Sequence, residues 1–290
     1  MRIGSITFAA IVLLISLAVG RAWALDSIHG TWSIEPGRDA AHVHLTLQTS
    51  DDASHSHDTS SFDIGSDQLG IGSALSGATS SEVKLTILRE AGSIVCTGTV
   101  GHGTGSGTYV FMPSDAFRSR MHDRGYDDLE LHTQFAAAAL DLTTGFIDRI
   151  GAAGYPHLSF ERLIAFRALG IDEDFVRDMR STFAGTEISA AQLLSLRALS
   201  VTREYVAQMR DGGFAVDDPN DAVQLRALDV SGAYVRDLAS AGYDHLSSRE
   251  LVQLRALGID AAYIKRVEAH GFSHLPIDKL IQLKALNVIY

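Results

Sequence analysis

Two hydrophobic periodicities divide the chain. Between Thr31 and Met112 apolar and polar residues alternate in six short runs: Thr31 to Ile34, His42 to Gln48, Ser61 to Ile64, Val83 to Leu88, Ser93 to Thr99 and Thr108 to Met112. A period of two marks strands with one face buried. Gly and Ser clusters punctuate the runs, so a small antiparallel β-sandwich or open barrel is expected. Asp67 to Leu75 leaves room for one short helix, and Asp115 to Arg120 leads into a different pattern.

Downstream, the apolar spacing becomes one and four, as in Phe146, Ile147 and Ile150, Tyr205, Val206 and Met209, or Tyr263, Ile264 and Val267. These positions share a helical face. The pattern is copied. Leu254-Arg255-Ala256-Leu257-Gly258-Ile259 recurs around Arg167, Arg197, Arg226 and Lys284, and the basic residues step by 30, 29, 29 and 29. Thr143, Asp172, Thr202, Ser231 and Asp260 follow the phrase at repeat spacing, each with a side chain that caps a first helix. Gly154, Gly213, Gly242 and Gly271 end that helix. Ser159, Ser189, Asp218 and Ser247 then cap a second, whose stripe in one copy is Leu251, Val252, Leu254 and Leu257.

Helices of about ten residues are marginal alone. Each hairpin must therefore bury its stripe on its neighbours, which predicts an α-solenoid of about five 29-residue helix-turn-helix repeats. A degenerate copy from Phe117 to Leu142, with Ala138 in place of the basic residue, is expected to cap the stack. The copy containing Thr182-Phe183-Ala184-Gly185 has one residue extra and is expected to bend it. The predicted order is a β-rich domain over residues 25–115, a capping repeat over 116–142 and the array over 143–290, an α+β multidomain chain.

The first 24 residues have the layout of a signal peptide: Arg2, an apolar run from Ile6 to Val19, then Ala22-Trp23-Ala24 before the cleavage point. The expected mature chain is soluble and periplasmic or extracellular. Leu25, not a cysteine, stands at the cut and no other segment resembles a membrane span, so no stable membrane anchor is expected. Removing two arginines leaves 24 − 2 = 22 basic residues against 35 acidic ones, a formal charge of −13. Such acidity disfavours nucleic acid as a partner. Cys96 is the only cysteine, which excludes an internal disulfide and any cysteine-based zinc cluster within one chain. A strand core is its expected place.

Three groups of residues carry candidate chemistry. Arg167, Arg197, Arg226, Arg255 and Lys284 form a basic ladder that either faces an acidic partner or serves locally, opposing the helix dipole and pairing with Asp174, Glu204 or Asp260. His42 and His44 alternate along one strand, and His55 and His57 lie in an acidic loop, the makings of a metal site if solvated histidines are more than that. His157, His245 and His274 recur in the phrase Gly-aromatic-x-His-Leu, but repeats stacked about 10 Å apart keep them from converging on one ion, so turn packing is their expected role. His102 to Gly107 is glycine-rich yet joins two strands, which fits a hairpin better than a phosphate loop. Neither His-Glu-x-x-His nor Gly-x-Ser-x-Gly occurs, and no cofactor is implied.

Glu204-Tyr205-Val206-Ala207-Gln208-Met209-Arg210 and Leu251-Val252-Gln253-Leu254-Arg255-Ala256-Leu257-Gly258 carry a resemblance. The array and the β-domain before it resemble the extracytoplasmic repeat tail of some bacterial beta-lactam-sensing antirepressor metallopeptidases and related exported repeat proteins. The membrane-embedded peptidase and its zinc motif are missing from this sequence, so only the module carries over. The resemblance implies an envelope-facing domain that senses or binds something. The expected function is a non-catalytic scaffold or adaptor binding a protein or peptide in the bacterial envelope, in envelope or antibiotic-stress sensing; the alternative is small-ligand or metal binding by the β-domain, with the solenoid as its mount.

Overall fold

The computed structural model describes residues 27–39, 41–49, 59–127 and 129–286. The expected signal peptide, and the loop with His55 and His57, lie outside them. All six expected strands are present: β1 Ile28–Pro36, β2 His42–Thr49, β3 Thr59–Gly65, β4 Ser81–Arg89, β5 Gly92–Gly101 and β6 Thr104–Pro113. They make one antiparallel sheet in the order β3-β2-β1-β6-β5-β4, with β1 and β6 paired at its centre. The alternation buries Trp32 and Ile34, Val43, Leu45 and Leu47, Ile94 and Cys96, and Tyr109 and Phe111. Burial pushes the Cys96 thiol up to about 12, so it packs as a neutral core side chain.

Two glycines shape the centre of the sheet. Gly98 and Gly107 lie opposite one another, and a Cβ on either would strike the facing backbone. Trp32, opposite Gly107, reaches past them to donate its indole N–H to the Thr97 carbonyl on β5 at 3.2 Å. His102 and Gly103 close β5 to β6 with φ of 54° and 82°, the left-handed pair of a two-residue hairpin turn. The expected helix between Asp67 and Leu75 is shorter than its window: turns lead into α1, Gly72–Leu75.

The next two helices, α2 Asp115–His122 and α3 Leu131–Ala139, form a hairpin in the same compact unit as the sheet. Helix α3 touches β1, β3, β5 and β6. Phe135 stacks on Tyr109 with centroids 5.6 Å apart and meets Phe111 edge-on at 5.3 Å. Beside it Gln134 is fully buried, its Nε2 donating to the carbonyls of Ala91 at 2.7 Å and Ser114 at 2.9 Å. Ala138, also fully buried, sits where later copies carry a cation. The copy is degenerate because α3 packs on a sheet where later helices pack on helices. This hairpin also begins earlier than the sequence reading placed it. Ser114 accepts from the Phe117 N–H, 29 residues before the same bond from Thr143 to Phe146.

Ten helices follow among the described residues: α4 Thr144–Ala152, α5 Phe160–Leu169, α6 Glu173–Thr182, α7 Ala190–Ala198, α8 Arg203–Asp211, α9 Pro219–Ala227, α10 Gly232–Ser240, α11 Ser248–Ala256, α12 Ala261–Ala269 and α13 Ile277–Ala285. Every cap read from the sequence is in place. Asp172, Thr202, Ser231 and Asp260 accept the N–H three residues on, Ser189 and Ser247 form reciprocal capping boxes with Gln192 and Glu250, and Asp218 caps a helix that opens with Pro219. The second compact unit holds Arg149–Leu158 and the chain from Ala165 onward. Within it α6, α8, α10 and α12 touch in one row and α7, α9, α11 and α13 in another. The extra residue is absorbed in α6, which runs ten residues where α8, α10 and α12 run nine, and Phe183 beyond its end is buried.

The second helices α3, α5, α7, α9 and α11 each end on one left-handed residue, Asp141, Gly170, Ser200, Asp229 and Gly258 in turn, with φ between 55° and 65°. The next residue's N–H returns five residues, as from Val201 to the Leu196 carbonyl at 2.8 Å, the wrap that satisfies a helix end. A side chain in this conformation costs about 1 kcal/mol. Ser200→Gly should therefore stabilise the chain by about 0.5–1 kcal/mol and Gly258→Ala should destabilise it by about as much. Urea unfolding of the two variants measures both; equal midpoints would show that these residues do not set the helix ends.

Candidate functional site

The basic ladder runs along the last turns of the second helices. Its side chains are engaged with the array itself. Arg197, Arg226 and Arg255 lie over the rings of Phe175, Tyr205 and Tyr234, each 5.1 Å from the centroid, and Lys284 Nζ lies 4.3 Å from that of Tyr263. In each case the ring belongs to the first helix of the same hairpin. The guanidinium Nε of each arginine donates backward to the carbonyl that closes the preceding hairpin: Arg197 to Leu169 at 2.9 Å, Arg226 to Leu199 at 3.3 Å and Arg255 to Leu228 at 3.2 Å. Arg167 holds the equivalent position at the end of α5, half-buried.

These contacts correct the expected ion pairs. Asp174 pairs with Arg177 on its own helix, Glu204 turns back to accept from its own backbone N–H and the Thr202 hydroxyl, and Asp260 spends its side chain capping. Asp229 joins the ladder, 3.4 Å from Arg255 and 3.7 Å from Arg226. Planar guanidinium explains the preference: it stacks on a ring and still presents an N–H at its edge. The tyrosines complete the brace, Tyr205 donating to the Val230 carbonyl at 3.0 Å and Tyr234 to that of Ile259 at 2.6 Å. Burial raises both phenols to about 12, partly opposed by the neighbouring arginine, so they stay protonated donors.

A second series at repeat spacing faces outward. Leu194, Val223, Val252 and Ile281 are half-buried, one residue past the buried Leu193, Ala222, Leu251 and Leu280. Beside them Gln224, Gln253 and Gln282 are exposed, and so are Ala198, Ala227, Ala256 and Ala285. Spacings of one and four put each trio on one side of its helix. Between α11 and α13 this face forms a groove of about 490 Å³ lined by Gln253, Ile281 and Gln282 with Glu250, Ile277 and Asp278. Val252 belongs to the apolar stripe of the sequence pattern yet is half-buried, and the alanine after every ladder residue, exposed with no core to fill, marks the same outward side.

Where α6 carries its extra residue, a second cavity of about 490 Å³ opens, lined by Thr182, Phe183, Gly185, Arg203, Arg210 and Asp217 among others. Arg203 is paired there with Asp178 at 3.1 Å.

The histidines divide as follows. His42 and His44 share the solvated face of β2, and each meets a carboxylate: His42 Nδ1 lies 2.7 Å from Asp39 Oδ1 and His44 Nδ1 lies 3.0 Å from Asp63 Oδ1. The His42 bond, with the backbone N–H of Ala41, holds the Asp39 carboxyl below its usual range. His55 and His57 lie outside the described residues. His157, His245 and His274 are exposed in the turns before α5, α11 and α13, the last two with φ of 56° and 52°. Among the described residues no group of three or more histidine, cysteine or acidic side chains could hold a metal ion.

A brace predicts lost stability on truncation. Arg226→Met keeps most of the packing but loses the stacked cation and the bond to Leu199, and should cost about 1–3 kcal/mol. In a double-mutant cycle, Arg226→Met with Tyr205→Leu should show a coupling above 0.5 kcal/mol by the usual scale of contacting pairs, about 0.5–3 kcal/mol. Additive effects with unchanged unfolding midpoints would free Arg226 for a partner. Compared with protein-family models, curated proteins and solved structures, the chain matches none.

Proposed function

We propose that this chain is an exported, non-catalytic scaffold or adaptor whose 29-residue hairpins stack as an α-solenoid and bind a protein or peptide along the outward face of their second helices. One observation carries the reading. Leu194, Val223, Val252 and Ile281 keep aliphatic side chains half-open to solvent at repeat spacing, beside uncharged glutamines and alanines. Amide side chains donate and accept at once and so suit an exposed peptide backbone. The ladder of Arg167, Arg197, Arg226, Arg255 and Lys284 contributes indirectly by fixing one repeat to the next. For the β-domain we favour the open barrel over the sandwich, because one sheet supplies four strands to the same helix α3.

The leader before Leu25 and the resemblance to antirepressor tails support the bacterial envelope as the setting, with envelope or antibiotic stress as the occasion. No helix among the described residues is long and apolar enough to cross a membrane. The test uses mature protein, residues 25–290, as bait in a native envelope extract, beside Val223→Glu/Val252→Glu. Both substitutions fall on half-buried positions, so the melting temperature should hold within a few degrees while a retained partner is lost. A partner held equally by both baits removes this face from the model, and an extract from which neither retains a protein argues against the scaffold reading.

A further inference from the structure

Beyond the scaffold reading, we propose that His42 and His44 form a two-imidazole chelate for a divalent transition-metal ion of the zinc or copper class. Positions two apart on a strand point to the same face, about 7 Å apart along the backbone. That places both rings of β2 on the side away from Val43, Leu45 and Leu47. The distinguishing feature is what each ring does with Nδ1. His42 turns it to Asp39 and His44 turns it to Asp63. A neutral imidazole that donates Nδ1–H to a carboxylate carries its lone pair on Nε2, the second-sphere arrangement that orients metal-binding histidines. In the neutral form, rings so bonded would both present Nε2 to an ion.

The carboxylates are themselves positioned. Asp39 accepts the backbone N–H of Ala41 and of His42 at 3.0 and 3.1 Å, and Asp63 has Arg38 Nε at 3.5 Å from its second oxygen. They serve as orienting groups. Two imidazoles with water in the remaining positions suit borderline ions, Cu²⁺ more tightly than Zn²⁺, and do not suit Ca²⁺ or Mg²⁺, which take oxygen ligands. The side chains of His42 and His44 are 36% and 43% exposed, so replacing them opens no core.

The experiment is a Cu²⁺ and Zn²⁺ titration of mature protein by calorimetry, with a paramagnetic resonance spectrum of the copper form. Expected are one ion per chain in the tightest class, nitrogen hyperfine structure from two imidazoles, and a melting temperature raised by the metal. His42→Ala/His44→Ala should lose at least 100-fold in affinity and all of the melting shift. Asp63→Asn should lose about tenfold, the usual size of a second-sphere effect. Tight binding and a melting shift that survive the double alanine variant overturn the proposal, as does native protein that binds neither ion; both outcomes leave the scaffold reading untouched.

Discussion

A nine-residue helix in water does not hold itself, and most of the array's features follow from that constraint. Nucleating a helix costs several fixed residues for one hydrogen bond, and two and a half turns return too few bonds to offset it. The array answers at both ends of every helix. A side-chain oxygen or capping box satisfies the first N–H groups, and a left-handed residue turns the chain back to satisfy the last carbonyls. What remains must come from neighbours, and the Arg–aromatic stack supplies it directionally. Arg226 touches the ring of its own hairpin and the closing carbonyl of the one before, so a single side chain fixes helix to helix and repeat to repeat.

The same constraint explains the start of the array. The first hairpin has no preceding repeat to receive an arginine's N–H, and it needs another partner for the face of α3. The sheet provides one through Phe135 on Tyr109 and Phe111, and Gln134 meets the two backbone carbonyls that the packing would otherwise strand. A buried amide with both N–H groups donated is a stable solution only at full occupancy. Glu90 adds a tie at the same end, accepting from the backbone and hydroxyl of Thr144 at 3.2 and 3.0 Å.

The elements were legible in the sequence wherever one residue type has one local use. Ser and Asp before an apolar run cap helices, glycine after one ends it, and alternation makes strands; each of these was found where the pattern put it. Ser114 escaped because the copy it opens has lost its ladder residue, so the repeat phrase gave no anchor. Direction was the harder inference. Arg197, Arg226 and Arg255 look like a surface stripe in sequence, because nothing local reveals that a long side chain lies along a ring one hairpin-arm away. Val252 looked like core for the converse reason: in a helix flanked on two sides the apolar arc is wide, and its edge shades into solvent without a change of residue type. The carboxylates facing His42 and His44 come from a turn and from a neighbouring strand, and the second of these needed the register of β2 on β3 to be seen.

Stacking also constrains what the outward face can recognise. Because the brace fixes each repeat to the last, Val223, Val252 and Ile281 present one aliphatic contact per helix, at a spacing set by helix packing of about 10 Å. A partner making the same contact at successive repeats must advance by that distance each time. An extended peptide rises about 3.3 Å per residue and so covers one repeat in three residues, whereas a helix lying along the row would need about seven residues at 1.5 Å each. The exposed glutamine beside each aliphatic residue discriminates between the two. On the scaffold reading proposed above, an extended chain would offer free N–H and C=O groups to its amide at every step where a helix has already spent them, which would favour a strand-like segment over a helical one.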